Sequence, residues 1–432
     1  MAQIGIGIIG FGKVGTGTAK NLVEKSKLYR ERFGLDLRLR AVCDIDLDRR
    51  RPFRIDRKLM TSSAASVLSD PGIHIVVETV GGTTAARDIV LDAISAGKHI
   101  VTSNKALLAT HGRRILQAAQ GGRRLVRFEA AIGGGMPIVQ VLSEGLRANH
   151  INSIAGILNG TCNFVLSSMT GEGADLQQAV RAAQKEGYAE LDPSLDLDGV
   201  DAAHKIALLS TLAFGRWCDF TEVPTEGITH ILPADIAAAE KIGHRVKLIA
   251  LSREYEDDTF DVRVGPMLVP AAHHLGQVEG AFNAVEIHGD FVGEVRLFGM
   301  GAGMVPTASA VAADVLEIAR AITTGADEAA PNTWPDLHKK LSIADTANAE
   351  WCYVVRVPGA KRARAKLLAD TLRNCYAAVK ETFRVSADGA DFTAAVTAEA
   401  REVNVRRALD QLRGSVENPD AVYAIPLIAP NL

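Results

Sequence analysis

Short apolar runs alternate with amphipathic stretches along the first third of the chain. Runs rich in β-branched residues and bounded by glycine or polar residues predict strands, whereas apolar residues spaced three and four apart predict helices. Repeated strand-helix units predict an α/β fold with a parallel, doubly wound sheet of the Rossmann type. We expect strands over Ile4–Gly10, Leu37–Cys43, Ile73–Thr79 and His99–Thr102, and a helix over Ile89–Ala96.

The rest of the chain mixes the two patterns in a different order, which predicts an α+β layer followed by a small β-α-β-β-α-β region over residues 350–432. Between them, a polar stretch with Pro331, Asn332, Pro335 and Asp336 predicts a linker over residues 326–349. The expected strands are Asn152–Leu158, 260–269, 282–288, Trp351–Val357, Ala377–Val385, Phe392–Thr397 and Val422–Ile425, and the expected helices are 176–186, 200–215, Thr307–Ile322, Arg362–Arg373 and Val403–Leu412.

Composition narrows the class of partner. The 432 residues include 48 basic and 51 acidic side chains, a near balance that favours a small-molecule partner and argues against nucleic acid or a membrane surface. The chain opens in a strand-like run without a basic leader, and its apolar runs are shorter than the roughly 20 residues of a membrane span. Five scattered cysteines without a C-x-x-C pair predict reduced thiols and a cytoplasmic protein.

A glycine-rich turn follows the first predicted strand and precedes a helical pattern that runs through Leu22. This is the context that a G-x-G-x-x-G motif requires for binding a dinucleotide pyrophosphate at a helix N-terminus. Asp44, after the second strand, suits the ribose hydroxyl of NAD, but the arginines at 49–51 could hold the 2′-phosphate of NADP, so both cofactors stay open. The motif consists of Gly10, Phe11, Gly12, Lys13, Val14 and Gly15.

A run of carboxylates leads into an apolar helix in the middle of the chain. Asp201 and Lys205 are four residues apart and therefore share one face of that helix, and Glu190 can approach from the loop. Acids beside one lysine suit a ligand that carries an ammonium group next to a reacting oxygen. The alternative is that Asp196 or Asp198 caps the helix and that Asp201 and Lys205 form a surface ion pair.

Two further stretches carry candidate residues. Lys105 follows a predicted strand at the carboxyl edge of the sheet, where ligands of doubly wound folds bind, and topology places it near the nicotinamide end of a dinucleotide. Glu129 precedes three consecutive glycines and Pro137, in a loop whose backbone can closely approach another group. The alternative for this loop is a flexible hinge between domains.

Taken together, five stretches resemble homoserine dehydrogenases in their order and spacing, over residues 1–325. The resemblance implies an enzyme that interconverts L-homoserine and L-aspartate 4-semialdehyde with NAD or NADP, in the shared route to threonine and methionine. It also implies a homodimer or homotetramer. The stretches are Gly10–Gly15, Thr102–Leu107, Glu129–Pro137, Gly156–Phe164 and Gly187–Lys205.

The resemblance assigns roles to the candidate residues. It implies that Lys205 donates the proton during aldehyde reduction, that Lys105 is a second catalytic lysine, and that Glu190, Asp196 and Asp201 bind substrate or hold Lys205. In the oxidation direction Lys205 would act as a base, so we expect an alkaline optimum, although the sequence leaves its protonation state open. Residues 10–15, Lys105 and Gly301 would line the cofactor.

The resemblance further implies a monovalent cation, usually Na⁺, bound by Glu129 and by the backbone carbonyls of Ile132, Gly134 and Met136. Carboxylate and carbonyl oxygens suit such a hard cation. It implies a nucleotide-binding domain at 1–131 plus 299–325 and a substrate-binding and dimerisation domain at 132–298.

The end of the chain resembles an ACT domain, which often binds an amino-acid effector. Its first turn, at Arg356–Arg362, differs from the family's glycine-containing turn, so an effector site and a purely structural or dimer-stabilising tail both stay open. A second hypothesis is a regulatory protein that binds nucleotide without catalysis. An aspartate-semialdehyde dehydrogenase would need a nucleophilic cysteine in a motif that this sequence lacks. Adjacent His273 and His274 offer two metal ligands, but without a third nearby in sequence we predict no metal site.

Overall fold

The computed structural model describes residues 3–326 and 336–428. The chain divides into two compact units, which we describe separately. The first unit contains Met1–Ile151, Ala207–Thr221 and Leu297–Leu341, and the second contains Asn152–Ile206, Glu222–Arg296 and Ser342–Leu432. Among the described helices, none combines the length and the apolarity that crossing a bilayer requires.

A six-stranded sheet in the order β3-β2-β1-β4-β5-β6 forms the centre of the first unit, and its strand pairs are parallel. The strand order reverses beside β1, which is the switch point where doubly wound sheets bind ligands. The predicted α/β Rossmann architecture is therefore confirmed. Its strands are β1 Gln3–Ile9, β2 Asp36–Cys43, β3 Met60–Thr61, β4 Ile75–Glu78, β5 His99–Thr102 and β6 Val126–Arg127.

Helices connect these strands and cover the sheet. Apolar residues at helical spacing explain α5, for example, because Leu108, Ile115 and Leu116 all face inward. The helices of this part of the chain are α1 Lys13–Glu24, α2 Ser26–Phe33, α3 Ala64–Ser69, α4 Thr84–Ser95, α5 Lys105–Gly121, α6 Glu129–Ile132 and α7 Ile138–Gln140, and a π-helical turn, Val141–Gly145, follows.

A five-stranded sheet in the order β10-β9-β7-β11-β12 lies after this region. β9 pairs antiparallel with both β10 and β7, in agreement with the predicted α+β layer. The strands are β7 Ile151–Ile157, β8 Arg216–Trp217, β9 His244–Glu254, β10 Phe260–Pro270, β11 Phe282–Gly289 and β12 Gly293–Met300, of which β8 belongs to a separate two-stranded pairing. The helices are α8 Gly160–Glu172, α9 Leu176–Lys185, α10 Ser194–Leu197, α11 Val200–Phe214 and α12 Pro233–Lys241.

The chain then returns to the first unit as a long helix, α13, at Met304–Thr324. Val311 and Val315 of this helix join the same buried core as Ile6 and Ile8 of β1. We expected the helix to start near Thr307. Thr307 instead lies one turn inside it and donates its backbone N–H to Gly303, the N-cap residue.

The predicted linker lies partly outside the described residues, including Pro331, Asn332 and Pro335. Its described part contains a strand, β13 Asp336–Lys340, which pairs in parallel with β8. A short strand, β14 Glu350–Trp351, follows it.

The end of the chain has the predicted β-α-β-β-α-β order and forms a four-stranded antiparallel sheet, β16-β17-β15-β19. This region shares one buried core with the rest of the second unit: Val355 and Leu372 pack in the same cluster as Ile249 and Met267. Its elements are β15 Tyr353–Pro358, α14 Arg362–Asn374, β16 Val379–Ala387, β17 Ala390–Thr397, β18 Ala400–Arg401, α15 Glu402–Arg413 and β19 Tyr423–Pro426.

A buried ion pair ties this region to α12. Arg356 and Asp235 are 1% and 3% exposed at their side chains, and Arg356 Nε lies 2.7 Å from Asp235 Oδ1. Removing one partner of such a pair leaves a buried, unpaired charge and costs about 3–5 kcal/mol of stability. The pair therefore resists separation of the terminal region from the rest of the unit.

Candidate functional site

The glycine turn between β1 and α1 combines tight packing with open space. Gly10 has a φ of +99°, and a Cβ there would lie 2.5 Å from the Thr79 backbone. A Cβ on Gly15 would lie 2.0 Å from the Gly10 carbonyl oxygen, whereas a Cβ on Gly12 would meet no atom within 4 Å. Gly12 also caps α1 without a side chain, so the N–H groups of the first turn of α1 face a space that a pyrophosphate can enter.

Asp44 and Arg51 both contact this turn. The Asp44 carboxylate accepts the Phe11 N–H at 2.7 Å and lies 3.3 Å from the Arg51 guanidinium. Partial burial alone would raise the pKa of Asp44, but hydrogen bonds from the backbone of Asp46 and Phe11, together with Arg51, hold it below its usual range. Arg51 donates to the Phe11 carbonyl and stacks on the Phe11 ring, while Arg49 and Arg50 are exposed.

The carboxyl edge of β4 and β5 carries a buried acid that the sequence reasoning did not identify. Glu78 accepts hydrogen bonds from the Thr102 hydroxyl at 2.6 Å and from the Val80 N–H at 2.7 Å. Burial raises its pKa. Asn104 caps α5 through the Leu107 N–H at 3.0 Å, so Lys105 is fixed as the first residue of that helix at the ligand-binding edge. The sequence pattern that could have identified Glu78 is a charged residue at the end of an otherwise apolar strand.

Glu129 fastens the glycine loop that follows it. Its two carboxylate oxygens accept the N–H groups of Val139 and Gln140, each at 2.8 Å, and its own N–H donates to Asp314 at 2.9 Å. Burial raises the pKa of Glu129 to about 7. Burial, and then the neighbouring Glu129, raise the pKa of Asp314 well above its usual range. Asp314, distant in sequence, carried no pattern that pointed to this place.

The same loop also lies against the start of α13. Gly134 has a φ of +59°, and a Cβ there would lie 2.4 Å from the Gly301 backbone. The N–H of Gly135 donates to the Met300 carbonyl at 3.1 Å. Gly134 and Gly301, which the resemblance assigned to different ligands, are therefore neighbours in the first unit.

In the second unit, a buried lysine lies at the first turns of α11. Lys205 Nζ is 2.8 Å from Asp201 Oδ2 and donates to the Leu158 carbonyl at 2.6 Å. The side chains of Lys205 and Asp201 are only 8% and 7% exposed, so the surface ion pair that we considered as an alternative is wrong. The buried pair holds the lysine ammonium group at a fixed position.

Asn159 joins the two candidate aspartates. Its amide donates to Asp196 Oδ1 at 2.7 Å and to Asp201 Oδ2 at 2.9 Å, while its oxygen caps α8 at the Cys162 N–H. Burial, and then the Asp201 carboxylate, raise the pKa of Asp196. In the sequence, Asn159 stands within the longer stretch Gly156–Phe164 and was not singled out. Its position before Gly160, as a helix N-cap, was the signal that could have singled it out.

Glu190 and Cys162 lie in the same region but differ from the aspartates in their surroundings. The carboxylate of Glu190 is exposed and makes no hydrogen bond or ion pair within the described part of the chain; its backbone carbonyl accepts the Gln184 amide at 3.1 Å. Cys162 is buried, and its thiol donates to the Asp196 carbonyl at 3.0 Å. Burial raises the pKa of Cys162 well above its usual range, so this thiol is not an activated nucleophile.

A glycine turn at the switch point of the first unit and, in the second unit, a lysine held by a buried carboxylate are the features of an NAD(P)-dependent oxidoreductase. Comparison with known proteins identifies the group. Family models of "Homoserine dehydrogenase, NAD binding domain" and "Homoserine dehydrogenase" match residues 10–129 and 137–316. The chain belongs to the homoserine dehydrogenase family.

Individual relatives agree with the family models. A homoserine dehydrogenase of Neisseria gonorrhoeae is 42% identical over 74% of each chain, and one of Pseudomonas aeruginosa is 39% identical over 83% of this chain and 82% of its own. The crystal structure of a homoserine dehydrogenase from Thiobacillus denitrificans matches with a TM-score of 0.89 and 34% identity over 99% of both chains. These relatives favour the dehydrogenase over the regulatory hypothesis.

A more distant structure bears on the cofactor. A hyperthermophilic archaeal homoserine dehydrogenase, solved in complex with NADPH, matches with a TM-score of 0.60 and 26% identity over 73% of this chain and 98% of its own.

Proposed function

We propose that this enzyme oxidises L-homoserine to L-aspartate 4-semialdehyde, and catalyses the reverse reduction, with NAD or NADP. The observation that carries the proposal is the position of Lys205 Nζ, fixed between Asp201 Oδ2 and the Leu158 carbonyl oxygen. A proton must leave the substrate hydroxyl during oxidation and return to it during reduction, and a positioned amine can serve both directions.

The nicotinamide cofactor supplies the hydride acceptor and donor. The residues of the turn fit such a cofactor, because Gly12 leaves open space at the N-terminus of α1 and Gly15 allows the close packing of that turn. Phe11, Lys13 and Val14 complete the binding turn, and Lys105 and Gly301 line the cofactor. Asp44 favours NAD and the exposed Arg49 and Arg50 favour NADP, so the preference between them is a question for kinetics.

Lys205 exchanges the proton with the hydroxyl oxygen of the substrate, and Asp201 positions Lys205. Asp196 and Glu190 bind the substrate ammonium group. The Glu190 carboxylate is exposed and has no partner among residues 3–326 and 336–428, which supports that role. Lys105, at the start of α5, acts as the second catalytic lysine.

A monovalent cation, with Na⁺ as the candidate, binds to Glu129 and to the backbone carbonyls of Ile132, Gly134 and Met136. The support is the chemistry of the place: two buried carboxyl groups, Glu129 and Asp314, lie beside a loop rich in backbone oxygens. Carboxylate and backbone carbonyl oxygens are suitable ligands for such a hard cation.

The enzyme works as a homodimer or homotetramer in the cytoplasm. Edge strand β12 exposes Phe298 and Met300 by 63% and 48%, which supports pairing with a second copy along this edge. All five cysteines are free, in keeping with a reducing compartment. The terminal β-α-β-β-α-β region is an ACT-like domain.

The test is reduction of NAD⁺ and of NADP⁺ by the purified enzyme with L-homoserine, followed by absorbance. We expect turnover with at least one cofactor, its loss in Lys205→Ala, and unchanged turnover in Lys185→Ala, an exposed lysine at the end of α9. Absence of turnover with both cofactors in a folded parent enzyme supplied with Na⁺ would refute the proposal.

A further inference from the structure

A buried carboxylate in the second unit is surrounded by three histidines. Glu286, on β11, is 3% exposed. His274 Nε2 lies 2.8 Å and His273 Nε2 3.6 Å from Glu286 Oε2, and His288 Nε2 contacts the other oxygen, Oε1. The third metal ligand that is missing from the sequence around His273 and His274 is therefore supplied by the next strand.

Several buried polar atoms of this cluster lack a hydrogen bond in the described part of the chain. Glu286 Oε2 and both ring nitrogens of His274 are buried and form no hydrogen bond within the described residues. Glu286 Oε2 lies 2.8 Å from His274 Nε2, but this contact does not form a hydrogen bond. The ligand atoms of His273, His274 and Glu286 all lie within 4.8 Å of one another, so one ion can contact all three.

The donor spacing fits a transition-metal ion. Metal–nitrogen and metal–oxygen bonds of about 2.0–2.2 Å place the ligand atoms of a tetrahedral zinc site about 3.3–3.6 Å apart. His273 Nε2, at 3.6 Å from Glu286 Oε2, has this spacing. His274 Nε2, at 2.8 Å, reaches it by moving outward about 0.5 Å. Histidine coordinates a metal through a neutral imidazole nitrogen and glutamate through its carboxylate, so this set offers two nitrogen ligands and one oxygen ligand.

His288 contacts the Glu286 carboxylate from outside the set of ligands, as a neighbouring side chain usually does for a carboxylate that binds a metal. It contacts Glu286 Oε1, which leaves Oε2 for the ion and holds the carboxylate in one orientation. Hydrogen-bonded carboxylates and imidazoles are the common outer partners of metal ligands.

Two contacts in the structure disfavour the binding of an ion between His273, His274 and Glu286. The Leu275 N–H donates to His273 Nδ1 at 3.3 Å, a long hydrogen bond that must break, because coordination through Nε2 puts the ring proton on Nδ1. Arg296 Nε lies 3.9 Å from Glu286 Oε2, but this side chain is 51% exposed and pairs with Glu294, so it can turn outward. His273 is consequently the weakest of the three ligands.

We propose that His273, His274 and Glu286 form a binding site for a divalent transition-metal ion such as Zn²⁺, with His288 as the partner that orients Glu286. The ion would fasten the loop after β10 to β11. Imidazole and carboxylate ligands select ions of this class over Na⁺, Mg²⁺ or Ca²⁺.

The test uses the full chain without a histidine tag, freed of metal by dialysis against a chelator. Equilibrium dialysis with Zn²⁺ should give one ion per chain, and Co²⁺ should give the visible absorption of a tetrahedral site without a thiolate band. An excess of NaCl should not displace the zinc, which separates this site from the monovalent site proposed above.

Variants locate the site. We expect Glu286→Gln and His274→Gln to lose zinc affinity by at least about tenfold, and His288→Gln by about 10–100-fold, the range for outer partners. The matched control, His338→Gln, changes an exposed histidine of β13 and should bind zinc like the parent. Melting curves without metal check that each variant folds. Binding that is absent from the parent chain, or that survives in both Glu286→Gln and His274→Gln, would overturn the proposal, whatever the dehydrogenase assay shows.

Discussion

The glycine turn of the first unit and the lysine cluster of the second are built in opposite ways. At the turn the groups that face open space are the backbone N–H groups at the start of α1, above Gly12. At the cluster the working groups are charged side chains: Lys205 and Asp201, which are buried, and Asp196, which is half-buried. Asn159 bonds to both aspartates. The turn therefore depends on the absence of side-chain volume, and the cluster depends on the presence of charge.

This difference predicts opposite sensitivities. A single added methyl group should harm the turn, whereas substitutions that keep the volume but remove charge should harm the cluster. Buried charges gain strength from their low-dielectric surroundings and lose it when a partner is removed. Substitutions of Lys205, Asp201, Gly12, Gly15 and Asp196 test the contrast.

Removing the charge at the centre of the cluster should have the largest effect. We expect Lys205→Ala, and the better volume match Lys205→Met, to reduce kcat by about 10²–10⁴-fold, the usual contribution of a positioned proton-transfer group. The KM for the cofactor should change little, because the turn is untouched. Steady-state kinetics with Lys185→Ala as control measure this, and equal activity of Lys205→Met and the parent would remove Lys205 from the mechanism.

Asp201→Asn keeps the shape of the side chain and removes its charge. Lys205 would keep its contact with the Leu158 carbonyl but lose its ion pair, so we expect a loss of kcat of about 10–100-fold, or roughly 1.4–2.7 kcal/mol of transition-state stabilisation. The assay is kcat under saturating substrate. A variant in which only the KM for homoserine changes would show that Asp201 binds substrate without positioning Lys205.

Gly12→Ala tests the other side of the comparison. The new methyl group meets no protein atom within 4 Å, so the melting temperature should be unchanged, but it enters the cofactor's space and should raise the cofactor KM by about tenfold, or 1.4 kcal/mol. Gly15→Ala should instead destabilise the fold, because its methyl group overlaps the Gly10 carbonyl. Gly121→Ala, also without a neighbour within 4 Å, is the control. An unchanged cofactor KM in Gly12→Ala would mean that the cofactor does not approach this glycine.

The sequence patterns predicted the turn far better than the cluster. β1, the glycines and the following helix are consecutive in the chain, so local periodicity and one motif describe the whole feature, and strand β5 lies at the predicted bounds, His99–Thr102. Helix α13, which contains Thr307, begins earlier than expected for two reasons. Gly303, with a φ of +125°, ends the preceding segment, and Pro306 is tolerated in the first turn of a helix.

The side-chain cluster could be predicted only in part. Asp201 and Lys205 share a helix, so their spacing revealed the pair, but Asn159 and the Leu158 carbonyl reach them from more than forty residues away. Glu286 likewise reaches His273 and His274 only through the folding of the chain between β10 and β11. Spacing in one sequence carries no information about such contacts, because they depend on which strands and loops pack together.

The smallest expected effect is the change in stability on substitution of Asp196. Its pKa is raised by burial and by Asp201, so above about pH 4, the ordinary value for aspartate, the folded chain binds more protons at this site than the unfolded chain does. Stability at this site therefore falls as the pH rises from the ordinary pKa of aspartate to the raised pKa of Asp196 in the folded chain, and the site contributes less stability at neutral than at low pH. We expect Asp196→Asn to raise the melting temperature slightly at pH 7, to match the parent at low pH, and to weaken homoserine binding.

Asp192, in the same loop, is the matched control, because its pKa is shifted in the opposite direction from that of Asp196. Hydrogen bonds from Ser194 lower its pKa, so its contribution to stability is present above the ordinary aspartate value and is lost as the pH falls. Asp192→Asn should consequently not raise the melting temperature at pH 7. Melting curves of both variants between low and neutral pH decide the matter: a lower melting temperature for Asp196→Asn at pH 7 would mean that the ionised carboxylate stabilises the cluster, and that charge there serves folding as well as substrate binding.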